Sequence, residues 1–236
     1  TGPGGTNAIT GVMGAWVDSI PLMILSGQVK LSTTITNSPE LRQLGDQEIN
    51  IVDIVKPITK YAVMVTDKHD IAFHLEKAIF LAKHGRPGPV WIDIPLDIQA
   101  ATIEHKALRH FEPKESFTGS SRTEIARQIA DVKKLLCVKK RPVLVVGNGV
   151  RLSDSIDALS ALIEKLKIPV LTAISGVDLI PSNHSLFFGR PGVLGERAAN
   201  FIFQNSDMLI ILGTRLNLRI LGFDFSSLAR EATRIM

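Results

Sequence analysis

Short apolar runs alternate with amphipathic stretches along most of this 236-residue chain. The run Pro21–Gly27 is continuously apolar and ends on glycine, which is typical of a buried strand. The stretch Ile71–Lys83 has helical periodicity and ends in Lys-His-Gly, a favourable helix stop. Asp70 and Thr123 are predicted to be the N-caps of two helices. The predicted strands are Pro21–Gly27, Tyr61–Val65, Pro89–Ile94, Pro142–Val146, Pro169–Thr172 and Met208–Gly213, and the predicted helices are Thr6–Val17, Glu48–Val55, Ile71–Lys83, Glu124–Leu136, Ser153–Leu166 and Glu196–Gln204.

This alternation determines the predicted fold class, because continuous apolar strands between helices favour parallel sheets covered on both faces. We predict an α/β protein with two three-layer α/β/α domains and mainly parallel sheets, at residues 1–101 and 122–236. The polar stretch 102–121 is poorly periodic and is predicted to be the linker between them. The chain opens on a glycine loop without Met and stops in a predicted strand at Ile235–Met236. We therefore expect it to be a piece of a longer protein.

Composition narrows the classes of function. The chain is 45% hydrophobic and 21% charged, as in ordinary globular domains. No apolar run approaches the ~20 residues that span a bilayer, so no membrane partner is expected. The single Cys137 cannot form an internal disulfide and favours a reducing compartment, here the cytoplasm.

The net charge of +4 comes from the second half of the chain. Its basic cluster, Lys133–Lys134 with Lys139–Arg141, lies at the end of a predicted helix, where cations complement the helix dipole. A solvated helix end is therefore favoured over a nucleic-acid patch, although an acidic ligand held by single arginines stays open.

Two glycine-rich turns are candidate binding sites. The turn from Gly2 to Asn7 leads into a helix, where backbone N–H groups can hold anions or polar rings; a tight structural turn is the alternative. The Gly147–Gly149 turn follows a strand at the place of a dinucleotide fingerprint. Its third glycine position is Leu152, and no acid ends the next strand, so no NAD site is expected. A phosphate-bearing or flavin ligand stays open.

Three arginines are further candidates. Arg86 stands in a helix-to-strand turn, and its planar guanidinium can pair with a phosphate. Arg215 and Arg219 follow a strand, where open α/β sheets bind ligands. Surface arginines without a ligand are the alternative for all three. The six histidines show no metal-ligand spacing, so no metal residue is assigned.

Five ordered segments give the chain a family resemblance: TGPGGTNAITGVMGAWVDSIPLMILSGQV, LGDQE, VKPITKYAVMV, HGRPGPVWIDIPLDIQ and ANFIFQNSDMLIILGTRL. Together they resemble the thiamine-diphosphate (ThDP)-dependent enzymes, in particular the acetolactate synthase large-subunit branch. The resemblance implies that residues 1–101 are the later part of a pyrimidine-binding domain. It implies that residues 122–236 are most of a Rossmann-like central domain, which in acetolactate synthases holds FAD.

The resemblance also implies an activity. The expected reaction is decarboxylation of a 2-oxo acid and carboligation through a ThDP-bound carbanion, as in branched-chain amino acid biosynthesis. The expected assembly is a homodimer or homotetramer. Another ThDP-dependent lyase, decarboxylase or transferase is the alternative within the superfamily, and a non-catalytic nucleotide-binding module is the alternative outside it.

Site residues follow from the resemblance position by position. Gln28 and Lys60 are implied to be catalytic, and Gln47 and Glu48 are implied to line the substrate channel. The implied contacts to ThDP or FAD are Gly2, Pro3, Gly4, Asn7, Arg86, Gly147, Asn148, Gly149, Thr172, Gly192, Gly195, Gly213, Arg215 and Arg219.

The chain departs from the family pattern at informative places. Asp46 stands where acetolactate synthases carry Phe, and a carboxylate there would repel an anionic 2-oxo acid. The family's R-F-D-D-R segment reads Arg215-Leu216-Asn217-Leu218-Arg219, which puts the flavin contacts in doubt. The family's activating Glu and its Mg²⁺-binding GDG…N segment have no counterpart in the 236 residues, so this chain alone is expected to lack both.

Overall fold

The computed structural model describes residues 1–113 and 121–236, apart from the side chain of Asn37. The chain divides into two compact units, Thr1–Phe117 and Thr118–Met236, which are described separately below. Every strand pair in both units is parallel, so the predicted α/β class with parallel sheets is confirmed.

The first unit is built around a three-stranded sheet of order β1-β3-β2. Its central strand β3 is buried on both faces because helices cover each side. Val90 and Ile92 pack against α4, and Trp91 packs against α2 and α3. The elements are α1 (Pro3–Asn7), α2 (Ile9–Asp18), β1 (Leu22–Gln28), α3 (Ile51–Val55), β2 (Tyr61–Met64), α4 (Ile71–Lys83), β3 (Pro89–Pro95) and α5 (Leu96–Gln99).

The second unit has a four-stranded sheet of order β5-β4-β6-β7. One core lies between this sheet and α9 through Ala199 and Phe203, and a second core contains Leu159 and Ile163 of α8 on the other face. The elements are α6 (Arg122–Val138), β4 (Pro142–Val146), α7 (Gly149–Leu152), α8 (Ile156–Leu166), β5 (Val170–Thr172), α9 (Arg197–Gln204), β6 (Met208–Leu212), α10 (Leu218–Leu221) and β7 (Thr233–Ile235).

Of the two predicted N-caps, Asp70 is confirmed by its position and Thr123 is wrong. Asp70 is the N-cap residue of α4, but its carboxylate makes no capping hydrogen bond and accepts one from Arg109 Nε at 2.6 Å. Helix α6 is capped by Ser121, whose hydroxyl accepts a hydrogen bond from the backbone N–H of Glu124, so Thr123 lies inside the first turn.

Three predicted helices also have different boundaries. The helix predicted over Thr6–Val17 is two helices, α1 and α2, which meet at Ala8. The helix predicted over Glu48–Val55 begins only at Ile51, because Asn50 is its N-cap. The helix predicted over Ser153–Leu166 begins at Ile156, after the separate turn α7.

Part of the predicted linker packs on the first unit. The backbone N–H of Phe111 donates to Glu76 at 2.8 Å, and the Phe111 ring meets Phe73 and Phe80 of α4. Residues 114–120, in the last third of that linker, lie outside the described residues. No helix in the described ranges combines the length and apolar character that a membrane crossing requires.

Candidate functional site

A buried polar network lies where β1 and β3 of the first unit end. Asp93 on β3 accepts a hydrogen bond from Ser26 Oγ at 2.5 Å and from Gln28 Nε2 at 2.9 Å. Gln28 Nε2 also donates to the carbonyl of Ile49 at 2.9 Å, and Trp91 Nε1 donates to Ser26 Oγ at 2.7 Å. The network joins both strand ends to the segment that precedes α3. Gln28 is thus committed to contacts within the protein.

The carboxyl group of Asp93 is the electrostatic centre of this network. Burial raises its pKa, while the hydrogen bonds from Ser26 and Gln28 oppose that rise. Sequence reasoning missed both Asp93 and Ser26. The available signal was a carboxylate inside the apolar run PVWIDIP.

The glycine turn at the start of the chain lies against the segment that carries Gln47. Gly2 has a positive φ of 48°, and a Cβ atom there would stand 2.2 Å from the Gln47 carbonyl oxygen. Only glycine fits this approach. The structure thus brings two of the predicted residues, Gly2 and Gln47, together. The predicted cofactor residues Pro3, Gly4 and Asn7 are exposed.

Glu48 organises the loop that precedes α3. Its carboxylate accepts hydrogen bonds from the backbone N–H groups of Leu44 and Gly45, both at 3.1 Å, and from that of Ile35. Burial raises the pKa of Glu48, but these three bonds outweigh burial and leave the pKa lowered. This carboxylate is occupied by the loop, whereas Asp46 and Gln47 beside it are exposed.

Lys60 and Arg86 lie at the opposite edge of this sheet. Lys60 precedes β2, and its ammonium group donates to the carbonyl oxygens of His84 at 2.6 Å and Arg86 at 2.8 Å. Burial lowers the pKa of Lys60. The guanidinium of Arg86 donates to Ser19 Oγ at 2.7 Å. The length of β3, about 20 Å, separates this edge from Gln28, so the structure does not bring the two predicted catalytic residues together.

Two glycine turns pack on each other in the second unit. Gly147 and Gly149 follow β4, and Gly213 follows the neighbouring strand β6. A Cβ atom on Gly149 would stand 2.6 Å from Gly213 Cα, and one on Gly147 would stand 2.7 Å from Gly213 O. Contact between the two turns explains these glycines. Asn148 is held by its neighbour, because its Oδ1 accepts from Arg151 at 2.9 Å.

Two buried oxygens at the same edge lack a partner among the described residues. Thr172 Oγ1 stands at the end of β5, and Asn217 Oδ1 follows β6. Buried polar atoms are nearly always hydrogen-bonded, so each of these two oxygens calls for a water molecule or a polar ligand as its partner. Thr172 was predicted from the sequence, whereas Asn217 had no assigned role.

A small cleft of about 150 Å³ lies at this edge and includes the predicted residues Gly195 and Arg219. Gly192 packs on the backbone of Arg219, where a Cβ would stand 2.1 Å from the carbonyl oxygen. Arg190 forms a two-pronged ion pair with Glu196, which lowers the pKa of Glu196 to about 2. Arg215 is exposed after β6. The remaining lining residues are Ile174, Pro191, Leu194 and Ile220.

Comparison with known families agrees with this two-unit architecture. Residues 1–53 match the thiamine pyrophosphate enzyme N-terminal TPP binding domain, and residues 129–236 match the thiamine pyrophosphate enzyme central domain. The chain therefore belongs to the thiamine pyrophosphate enzymes.

Its relatives include several large subunits of acetolactate synthase. The chain is 38% identical over 234 residues to the one from Corynebacterium glutamicum, with 98% of this chain and 36% of the relative covered. It is 34% identical over 227 residues to the large subunit from Lactococcus lactis, with 94% of this chain and 37% of the relative covered. It is 34% identical over 222 residues to the isozyme 1 large subunit of Escherichia coli, with 94% and 37% covered. The chain thus spans little more than a third of their length.

Proposed function

We propose that the protein carrying this chain is an acetolactate-synthase-like enzyme that decarboxylates a 2-oxo acid and joins the product to a second carbonyl compound. The observation that carries the proposal is the packing of the Gly2 turn against Gln47, next to strand ends occupied by Gln28 and Asp93. Gly2, Gln28 and Gln47 lie within residues 1–53, the part of the chain that matches a TPP binding domain.

The residues at this edge fit the pyrimidine end of thiamine diphosphate. Pro3, Gly4 and Asn7 are exposed there, while Gly2 is anchored and the network of Asp93 fixes the strand ends below. When bound, the cofactor supplies the electron sink for the loss of CO₂. This chain would position the ring and leave Gln47 and Asp46 facing the substrate. We assign no residue to Mg²⁺, since the described ranges contain no cluster of potential metal ligands.

A graft tests this function. Residues 1–236 would replace the matching segment of the Lactococcus lactis large subunit, and acetolactate formation from pyruvate would be measured. We expect the chimera to be active and the Gly2→Val version to be inactive, since Val cannot fit against the Gln47 carbonyl. A folded chimera that binds thiamine diphosphate but converts no 2-oxo acid would contradict the proposal.

Asp46 favours a second candidate within the superfamily, a lyase or decarboxylase for a different carbonyl substrate. Its exposed carboxylate stands next to Gln47, where it would repel a small 2-oxo acid anion. The same chimera, assayed with pyruvate and with neutral aldehydes, separates the candidates. Preference for aldehydes that Asp46→Phe reverses would favour the second candidate, and an unchanged preference would exclude this role of Asp46.

We also propose that the second unit binds FAD. The unpartnered oxygens of Thr172 and Asn217 fit a polar ligand, and Arg219 lines the adjoining cleft. The cleft alone holds a phosphate or a single ring, because ligand pockets for larger molecules measure about 300–1,000 Å³. Arg215 and the Gly147–Gly149 turn at the same edge would bind the remainder of the FAD molecule.

The substitution Thr172→Val tests this part of the proposal, because it should have opposite effects on the stability of the free chain and on FAD binding. Removing an unpartnered buried hydroxyl should stabilise the free chain by about 1 kcal/mol or more. The same change should weaken FAD binding by about tenfold, because the flavin nucleotide would lose a hydrogen bond. FAD titration followed by flavin absorbance measures the affinity. Equal FAD affinity of both proteins would refute the role of Thr172.

An exposed apolar face supports association of two copies. Met13, Trp16 and Val17 lie three and four positions apart on α2, and each is more than a third exposed. We propose that this face contributes to a homodimer. Trp16→Ser should shift sedimentation toward the monomer, whereas Ile79→Ser on α4 should not. An unchanged monomer fraction for Trp16→Ser would contradict this assignment.

A further inference from the structure

A second cleft in the second unit lies at the amino ends of the strands, opposite the Thr172 edge. It measures about 680 Å³ and is bounded by the residues before β4, the residues before β5 and the end of α9. This volume falls in the range of small-molecule pockets. The lining residues are Lys139, Lys140, Arg141, Pro142, Val143, Lys167, Ile168, Pro169, Phe201, Ile202 and Asn205.

The walls of this cleft are apolar. Val143 is buried, Ile168 and Ile202 are half-buried, and the ring of Phe201 is 57% exposed. An exposed phenylalanine beside such side chains offers a flat surface for an aromatic or branched apolar group. The Arg197 guanidinium lies 5.4 Å from the Phe201 ring centre, on the preceding turn of α9.

The rim of the cleft is cationic. Lys139, Lys140 and Lys167 form no ion pair with any carboxylate in the described ranges. Arg141, in contrast, is bound to Glu231 at 2.8 Å and to the carbonyl of Asn205 at 2.6 Å. Three ammonium groups thus stand at the mouth, and the charge of one of them, Lys139, also acts on the Asp207 carboxylate. Lys139, Lys140 and Arg141 of the predicted basic cluster form one side of this cleft, whereas Lys133 and Lys134 do not line it.

The backbone that carries Lys140 and Lys167 has a defined conformation. The carboxylate of Asp207 accepts from the N–H groups of Lys140 at 2.8 Å and Arg141 at 2.9 Å, which holds the segment after α6. Lys167 has a left-handed φ of 51°, a conformation that is unfavourable for most residues other than glycine. Asn tolerates this conformation better than Lys does, so Lys167 is an unfavourable residue for this backbone position. Its side chain does, however, place a positive charge at the rim.

We propose that this cleft binds a small organic anion with an apolar body, which places its phosphate or carboxylate among Lys139, Lys140 and Lys167 and its body against Phe201. The volume favours a small molecule over a protein segment. The site lies at the opposite edge of the sheet from the proposed flavin site, and it does not depend on the proposed function.

The test uses 1-naphthyl phosphate on the 236-residue chain, with backbone amide shifts recorded by NMR during the titration. We expect saturable shifts centred on Lys139–Val143, Lys167–Pro169 and Phe201–Asn205. Inorganic phosphate and 1-naphthol, which each carry half of the ligand, should bind at least tenfold more weakly. 1-Naphthoate shows whether a carboxylate replaces the phosphate.

Lys167→Asn is the decisive variant, because Asn tolerates the left-handed conformation and the fold should be at least as stable. It should bind 1-naphthyl phosphate about fivefold more weakly, the effect of one exposed ion pair. Lys165→Gln, an exposed charge on α8 outside the cleft, is the matched control and should bind normally.

Several results would overturn the proposal. One is that Lys165→Gln weakens binding of 1-naphthyl phosphate as much as Lys167→Asn does, and another is that 1-naphthol binds as tightly as 1-naphthyl phosphate. The others are amide shifts centred on Thr172 and Arg219, and a lack of saturable binding at millimolar concentration. Binding of an acidic peptide in the cleft without binding of 1-naphthyl phosphate would also overturn it, in favour of a protein partner.

Discussion

At the scale of single residues, the most consequential side chain is one with a buried charge. Asp93 is 1% exposed and receives hydrogen bonds from Ser26 and Gln28. Burial still raises its pKa above the usual 3.8, so the folded state holds this proton more tightly than the unfolded state does. The contribution of Asp93 to stability therefore decreases as the pH rises between 3.8 and its folded pKa.

Asp93→Asn tests this sign. The amide cannot ionise, so the free energy of unfolding of the variant minus that of the wild type should increase as the pH rises from 3.5 to 7. Other carboxylates titrate in both proteins and cancel in the difference. Urea unfolding followed by tryptophan fluorescence measures it, because Trp91 belongs to the same network. A difference that is constant with pH would show that Asp93 titrates normally.

The contribution of Glu196 to stability should depend on pH in the opposite way. Its ion pair with Arg190 lowers its pKa from 4.5 to about 2, so the folded state binds the proton more weakly. The stabilisation is fully present above pH 4.5 and is lost as the pH falls through about 2.

Glu196→Gln should cost at most about 1 kcal/mol at pH 7, since the pair is partly exposed. The cost should vanish near pH 2. Unfolding followed by circular dichroism at several pH values measures it. Glu124→Gln removes an exposed helix pair with Arg127 and is the control, expected to change less. A cost that persists at pH 2 would mean that packing, and not charge, is lost.

At the scale of elements, the contact between two glycine turns determines the backbone structure at the edge of the second sheet where the strands end. The N–H of Gly149 donates to Gly213 O at 2.8 Å, so the turns after β4 and β6 form one unit. This contact allows no side chain at either glycine, and it holds the carboxyl ends of β4 and β6 together.

Gly149→Ala should therefore destabilise the second unit by about 1–3 kcal/mol, because the added methyl overlaps Gly213 Cα. Gly14→Ala on α2 is the matched control, since nothing lies within 4 Å of its Cβ position. It should stabilise the chain by up to about 1 kcal/mol through helix propensity. Circular dichroism during urea unfolding measures both. If Gly149→Ala were as stable as the wild type, the two turns would not be in tight contact.

At the scale of the whole molecule, each of the two units has its own apolar cores. The two tryptophans, Trp16 and Trp91, and the single tyrosine, Tyr61, all lie in the first unit. Tryptophan fluorescence therefore reports on that unit alone, whereas far-ultraviolet circular dichroism reports on both.

If the units unfold independently, the two signals should give different urea midpoints. Gly149→Ala should move the midpoint seen by circular dichroism and leave the fluorescence midpoint unchanged, and Asp93→Asn should move the fluorescence midpoint. A shift of both signals by Gly149→Ala would show that the two units unfold as one.

The sequence alone determined the kind of elements and the class of fold, because apolar periodicity is a local property that each strand and helix carries. The strands β3, β4 and β6 fall where their apolar runs predicted them. Motif order was likewise enough to identify the family. Capping hydrogen bonds at helix ends were less predictable, because a partner that is distant along the chain can take the capping side chain. The Asp70 carboxylate, for example, is bound by Arg109, 39 positions away.

Only the tertiary structure decided which groups meet. Asp93 lies 67 positions from Ser26 and 65 from Gln28 along the chain, and it meets them through the register of β1 against β3. Lys60 and Gln28 were predicted for one site, yet strand direction places them at opposite edges. The cleft around Lys139 and Lys167 arises where the starts of β4 and β5 lie side by side. Such contacts depend on strand order and register, which periodicity along one strand does not contain.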